Sequence, residues 1–233
     1  IGSPPWAVLN LFSETTQEYD NEEIALLERL TAEIDYGHDF IAKSERLEYL
    51  AYHNAVTGLP SRTSFTELIG PRLERSPHVV AMMDIDRFRY YNNSRSRGFG
   101  DNLLRAVSSR LISLMPEDTL FTHPGDDAFL FAYPSSDDIE TSVSYVESIL
   151  QKCCEQVFLV EGEEINIGLH ASVLLAPAHG MNAEQIEQNL IAVLAEAQSR
   201  DQPVLAFTEE VRSRASRRSE LERDLRAALP QDQ

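Results

Sequence analysis

The chain has 233 residues, enough for one sizeable core or for a domain flanked by pieces of others. Its 38 acidic residues against 20 basic ones leave a net charge of -18, which repels nucleic acid and anionic membrane surfaces and favours soluble ligands and protein partners. No apolar run of roughly eighteen residues and no signal peptide occurs, so direct membrane contact is not expected. Two cysteines, Cys153 and Cys154, sit side by side where helical neighbours do not share a face, which fits a reducing cytoplasm better than a disulfide or a metal site.

In chain order, WAVLNLF (6–12) reads as a strand, and the start at Ile1 suggests a piece of a longer protein. From Asn21 to Tyr52 there is no proline, and Leu27, Ile34 and Ile41 recur at seven residues with Leu30, Phe40 and Leu47 beside them. That spacing predicts a long helix, able either to pair with a copy of itself or to pack as an amphipathic helix on its own domain. TGLPSR (57–62) breaks it, and a shorter helix follows from Ser61 to Leu73.

HVVAMMDIDRF (78–88) is an apolar run ending in acids, the pattern of a buried strand whose carboxyl end reaches a surface. Strand alternation puts Asp84 and Asp86 on one face, and with the carbonyl of Ile85 they offer the oxygens a hard cation takes; solvated acids closing a strand are the simpler alternative. YYNNSRSRGFGD (90–101) reads as a loop before a helix carrying Leu103, Leu104, Val107, Leu111 and Leu114 on one face. In that reading Asn92 is a loop turn and Asp101 a helix N-cap.

HPGDDAF (123–129) lies at the tip of a hairpin spanning 119–133, and a strand beside it bearing Asp84 would bring Asp126 and Asp127 toward the same ion. A helix at 137–155, a strand pair around 156–176 turning at EGEE, a helix at 183–199 and a strand at 203–207 complete an α+β sheet of the βαββαβ kind. Beyond Thr208 the chain becomes charged and helical.

AVTGLPSRTSF (55–65), MMDIDRFRYYNN (82–93), GFGD (98–101) and PGDDA (124–128) together resemble, in order and spacing, the motifs of GGDEF domains, the diguanylate cyclases. The resemblance runs from about Leu50 to Phe207. It implies the nucleotidyl-cyclase-like α+β fold, a homodimer, and the joining of two GTP molecules into cyclic di-GMP with Mg²⁺ or Mn²⁺ held only alongside bound GTP. Carried over by position, Asp84, the Ile85 carbonyl and Asp126 would hold metal, Asn92 and Asp101 would bond guanine, and Arg89 would stand near phosphate where a Lys is common. Asp126 and Asp127 would be the acids of the catalytic signature.

The departures from the family pattern cluster on phosphate handling. Its first signature Gly is Pro124, which fixes φ and lacks an N–H, its closing Phe is Ala128, and the Arg before the signature is Thr122. A phosphate-binding Lys and Arg fall on Gln198 and Gln202, with Arg200 as a nearby substitute. Losing such cations costs transition-state stabilisation, so cyclase activity is expected to be absent or weak. The product-inhibition motif falls on MPED (115–118), where Asp118 lacks its arginine, so no inhibitory site is expected.

The flanks resemble the end of a GAF sensor domain (1–20) and the entry to an EAL phosphodiesterase domain (209–233), with 21–52 as a signalling helix and 53–208 as a degenerate GGDEF domain. These readings imply a cytoplasmic regulatory module of cyclic di-GMP signalling that binds GTP and biases an adjacent EAL domain. The alternatives are an active diguanylate cyclase and a ligand-free scaffold for dimerisation and relay.

Overall fold

The computed structural model describes residues 5–10, 20–214 and 217. They divide into two units, 1–51 and 52–233. In the first, the proline-free stretch forms helix α1 (Asn21–Tyr52), whose last residue belongs to the second unit. Its start is a capping box: Asp20 Oδ1 accepts the N–H groups of Glu22 and Glu23, and Glu23 accepts the N–H of Asp20. None of its residues is buried, and Ile34, Phe40, Ile41 and Leu47 stay exposed.

The strand expected at 6–12 is not present over 6–10, and 11–12 lie outside the described residues. Instead Trp6 stacks on His38 with centroids 3.9 Å apart and donates to Asp35, so the apolar run is held by a helix side rather than by a sheet edge. Of the flanking resemblances, 1–4 and 11–19 fall outside the described residues, as do 215, 216 and 218–233; residues 209–214 are helical.

The second unit is built on a five-stranded sheet in the order β2-β3-β1-β6-β7. β1 (His78–Ile85) is the central strand, antiparallel to β3 (Ala128–Pro134) and to β6 (Leu169–Ala176). β2 (Leu120–Gly125) forms one edge as the hairpin partner of β3, and β7 (Val204–Ala206) forms the other, parallel to β6. Chain order gives the expected βαββαβ arrangement, extended by a last helix and strand.

Alternation along β1 assigns the two faces. Val79, Ala81, Met83 and Ile85 enter one core with Leu103, Val107 and Leu111 of α4 (Arg97–Leu114) and Val146, Ile149 and Leu150 of α5 (Ile139–Cys154). Val80 and Met82 enter the other, with Phe65 and Ile69 of α2 (Arg62–Leu73) and Ile186, Leu190 and Val193 of α6 (Ala183–Ser199). Asp84 continues the second series, toward α6.

Two expectations are corrected. The stretch 90–101 is largely helical: α3 (Phe88–Ser94) precedes α4, whose N-cap is Ser96, so Asp101 lies inside a helix rather than capping one. Burial of Phe88 and Phe99 outweighs the weak local propensity of this Asn- and Ser-rich segment. The region 156–176 holds three strands, not two. β4 (Phe158–Val160) and β5 (Glu163–Ile165) form a separate hairpin whose turn residues, Glu161 and Gly162, have φ of 52° and 85°, and β6 joins the main sheet.

One buried charge ties two of these helices. Glu187 of α6 is buried and forms an ion pair with Arg62, at 2.6 Å, at the start of α2. Arg62→Ala leaves that carboxylate without its cation. It should lower unfolding stability by about 2 kcal/mol in urea denaturation at pH 7, and Glu187→Gln in the same background should recover part of the loss.

Candidate functional site

At the carboxyl end of β1 the described residues enclose a cleft of about 710 Å³. Asp84, Ile85, Arg89, Asn92, Asp101, Asp126 and Asp127, the full set expected from the motifs, all line it. Sequence reasoning did not foresee Asn54, Arg97 and His123, which line it as well. Gln198, noted as a departure, is also on the wall.

Sheet register builds the acidic side. Asp84 stands opposite Ala128 on β3, the first residue after the two-residue loop Asp126-Asp127. Asp84 meets Asp127 through a side-chain hydrogen bond, and Asp126 lines the same cleft. Asp126 adopts φ 51° after Gly125 at φ 146°, and this local twist turns the second acid of the loop toward β1. Asp86, past the end of β1, donates its N–H to the Gly168 carbonyl and lies 3.7 Å from Arg87.

Burial, then the neighbouring charge of Asp127, pushes the Asp84 carboxyl up to about 7, against a hydrogen bond from Gln198 that favours the ionised form. Burial likewise raises Asp127, opposed by a hydrogen bond to its own backbone, while Arg89 pulls it down. The shared hydrogen bond favours the proton on Asp84 and the charge on Asp127. Two carboxylates that must share a proton in the absence of a cation, next to the Ile85 carbonyl, are the hard oxygen donors that Mg²⁺ or Mn²⁺ takes. No cluster of three or more His, Cys, Asp or Glu suited to a metal occurs among the described residues, so a cation here would need further oxygens from its ligand or from water.

The opposite wall is formed by α3 and α4. The Asn92 amide is packed against Gly100 so closely that a Cβ at position 100 would fall 1.8 Å from Oδ1. That oxygen is buried without a hydrogen-bond partner, so the fold does not itself use the acceptor. Gly100, the second glycine of the GFGD motif, is thus a site residue through its close approach to Asn92. Arg200, suggested as compensation, is paired with Glu196 one turn back on α6 and is not among the residues lining the cleft. Near the position of the inhibitory motif, Arg72 donates to the Asp118 carbonyl at 2.9 Å.

Pro124 fits the hairpin for a reason the sequence did not display. The β2–β3 register slips between Thr122 and Gly125, so β2 carries one extra residue, a bulge on the outermost strand where the ladder needs no N–H from position 124.

Comparison with known proteins agrees with this geometry. The family model described as "Diguanylate cyclase, GGDEF domain" matches residues 51–202. The Escherichia coli K12 protein named cyclic di-GMP phosphodiesterase PdeR is 28% identical over 196 residues, 81% of this chain and 29% of its own length. Pseudomonas aeruginosa NbdA, also named a cyclic di-GMP phosphodiesterase, is 26% identical over 98% of this chain and 28% of its own length. The chain therefore spans less than a third of these relatives. Among solved structures, the GGDEF domain of Pseudomonas aeruginosa PA1120 superimposes with a TM-score of 0.63 at 18% identity, covering 68% of this chain and 96% of that one. The GGDEF domain of Caulobacter crescentus DgcB, solved in complex with c-di-GMP, gives 0.60 at 17% identity, covering 67% and 95%. With its motifs, its sheet order and this match over most of its length, the chain belongs to the GGDEF domain family of cyclic di-GMP signalling.

Proposed function

We propose that this GGDEF domain binds GTP with a divalent cation without turning it over, and acts as a regulatory module on an adjacent domain. The observation that carries the proposal is the asymmetry of the cleft: the acid pair and the Asn92–Asp101 wall are in place, while neutral Gln198 lies against Asp84. Asp84, Asp127 and the Ile85 carbonyl would hold the cation, which supplies charge neutralisation for the phosphates when bound. Asp126 is left to face the open cleft. Asn92 and Asp101 would take the guanine edge, and Arg89, whose charge already acts on Asp127, the phosphates.

Turnover needs more than binding. A transferring phosphoryl group gains several kcal/mol from preorganised cations, and an amide at Gln198 gives a dipole in place of a charge. A bound nucleotide can bias a neighbour only through a difference in affinity between two states of the parent protein. The relatives named as phosphodiesterases, of which this chain covers under a third, support an adjacent catalytic domain as the object of that bias. An EAL domain after residue 208, a GAF domain before residue 21 and pairing through α1 complete the proposed arrangement.

Calorimetric titration with the β,γ-imido analogue of GTP should give micromolar, Mg²⁺-dependent affinity. Asn92→Ala and Asp101→Ala should each weaken it about tenfold, or about 1.4 kcal/mol. No cyclic di-GMP should form from GTP and Mg²⁺; its appearance would overturn the inactive half of the proposal, and an absence of binding at millimolar nucleotide would overturn the other half.

The acid pair makes a second expectation, for the metal-free protein. Asp84 titrates near 7 when folded against 3.8 when unfolded, so between these values the native state holds a proton the unfolded chain has lost. Stability from this group is therefore complete below about pH 4 and is lost as pH rises through 7. In EDTA at pH 7.5, Asp84→Asn should raise the melting temperature by about 3 °C, on the order of 1 kcal/mol after solvent screening, and should give no gain at pH 4. Adding Mg²⁺ at pH 7.5 should stabilise the wild type and leave Asp84→Asn unmoved.

A further inference from the structure

His123 is a polar side chain in an apolar place. Its ring is buried, 1% exposed, and packs on Phe129 with centroids 4.8 Å apart. Nε2 faces the Asp126 carbonyl at 3.1 Å, an oxygen that can only accept, so the proton sits on Nε2. Nδ1 is then the acceptor for the Thr57 hydroxyl at 3.0 Å, and burial keeps the ring neutral by lowering its pKa, in agreement with this tautomer. The backbone of the same residue is tied to the same neighbouring segment. Its N–H donates to the Pro60 carbonyl at 2.9 Å, and its carbonyl accepts from Asn54 at 3.4 Å.

These bonds converge on a turn that has little else to hold it. Asp126 sits at φ 51°, in the left-handed region that costs a side-chain-bearing residue about 1 kcal/mol. Pro124 has no N–H to give, and Ala128, opposite Asp84, packs no aromatic ring beneath the loop. We propose that His123 is a positioning residue: it clamps the Asp126-Asp127 loop to the 54–60 turn through the Asp126 carbonyl, and so sets where Asp127 meets Asp84 in the metal-nucleotide cleft. The affinity part of this proposal rests on the nucleotide reading above; the clamp itself does not.

A purely structural ring at this position would be better apolar, because a buried imidazole must lose water to make its two bonds. Function and structure therefore separate in three variants of the 233-residue chain. His123→Phe keeps a ring against Phe129 and removes both side-chain bonds. His123→Gln restores an N–H within reach of the Asp126 carbonyl. Thr57→Val removes the far end of the clamp without touching the hairpin. Melting temperature, amide hydrogen exchange of residues 125–128 in the ligand-free protein, and affinity for the β,γ-imido GTP analogue with Mg²⁺ are read for each.

The expected result for His123→Phe is a melting temperature within a few degrees of wild type, at least tenfold faster exchange at 126–128, and about tenfold weaker binding. His123→Gln should recover most of both losses, and Thr57→Val should show the same changes at smaller size. Unchanged exchange in both His123→Phe and Thr57→Val would overturn the clamp. Exchange that rises in proportion to a loss of global stability, without rescue by His123→Gln, would overturn it too, by showing a packing role. If the wild type binds no nucleotide while exchange still rises in His123→Phe, the clamp stands and the nucleotide reading falls alone.

Discussion

The site depends on one register. β1 and β3 pair so that Asp84 lies opposite Ala128, and that pairing brings the acid-bearing loop against the acidic end of the central strand. A slip of one residue would turn every side chain of β1 over, sending Asp84 into the core that Met83 and Ile85 now fill and exchanging the two apolar series between cores shaped for the other. The apolar residues on both faces of β1 thus fix the carboxylates as firmly as they fix the sheet. The electrostatic cost of bringing Asp84 and Asp127 together is borne by this packing, as expected where a fold holds a site ready for a cation.

Much of this was legible in the chain because it is local. The run from Val79 to Met83 is apolar without interruption, the pattern of a strand buried on both faces, and it forms most of the central strand. The Gly and Asp at the hairpin tip and the Glu161-Gly162 turn declare themselves by residue type. What was hidden depends on distant contacts. Apart from Phe88 and Arg89, α3 is made of tyrosines, asparagines and a serine, and its helix is stabilised by Phe88 in the core rather than by its own propensity. Which loop acid faces Asp84 is decided by the sign of one φ angle, and Asn92 is seated by a glycine eight positions on, across a helix boundary. The roles of His123 and Gln198 arise from segments 66 and 114 residues away in the chain.

The cleft also explains how a chain of net charge -18 could take a polyanion. Long-range potential disfavours the encounter, so attraction has to come from groups at close quarters. Arg87, Arg89 and Arg97 line the cleft, and a cation on the acid pair would turn its most repulsive corner into an attractive one. Nucleotide affinity in such a site is tied to metal affinity. On the proposal, the raised Asp84 carboxyl would link both to pH, because a cation and a proton compete for the same carboxylate.

In the proposed reading, binding and turnover come apart for a structural reason. Binding draws on groups fixed by the sheet and by α3 and α4, which the core holds in place whatever stands at the rim. Turnover asks that the wall near the phosphates be charged, and here it carries Gln198 on α6, while Pro124 sits in a bulge of the edge strand that leads into the acid-bearing loop. A bulge on an edge strand tolerates proline because the ladder asks nothing of that nitrogen, so a backbone donor is missing beside the loop at little cost to the fold. The same reasoning applies to Gln198, whose amide satisfies Asp84 well enough for the ligand-free protein. Changes that are nearly neutral for folding can therefore be decisive for phosphoryl transfer, which is how, on the proposal, a fold this well packed would hold a nucleotide site and leave the reaction undone.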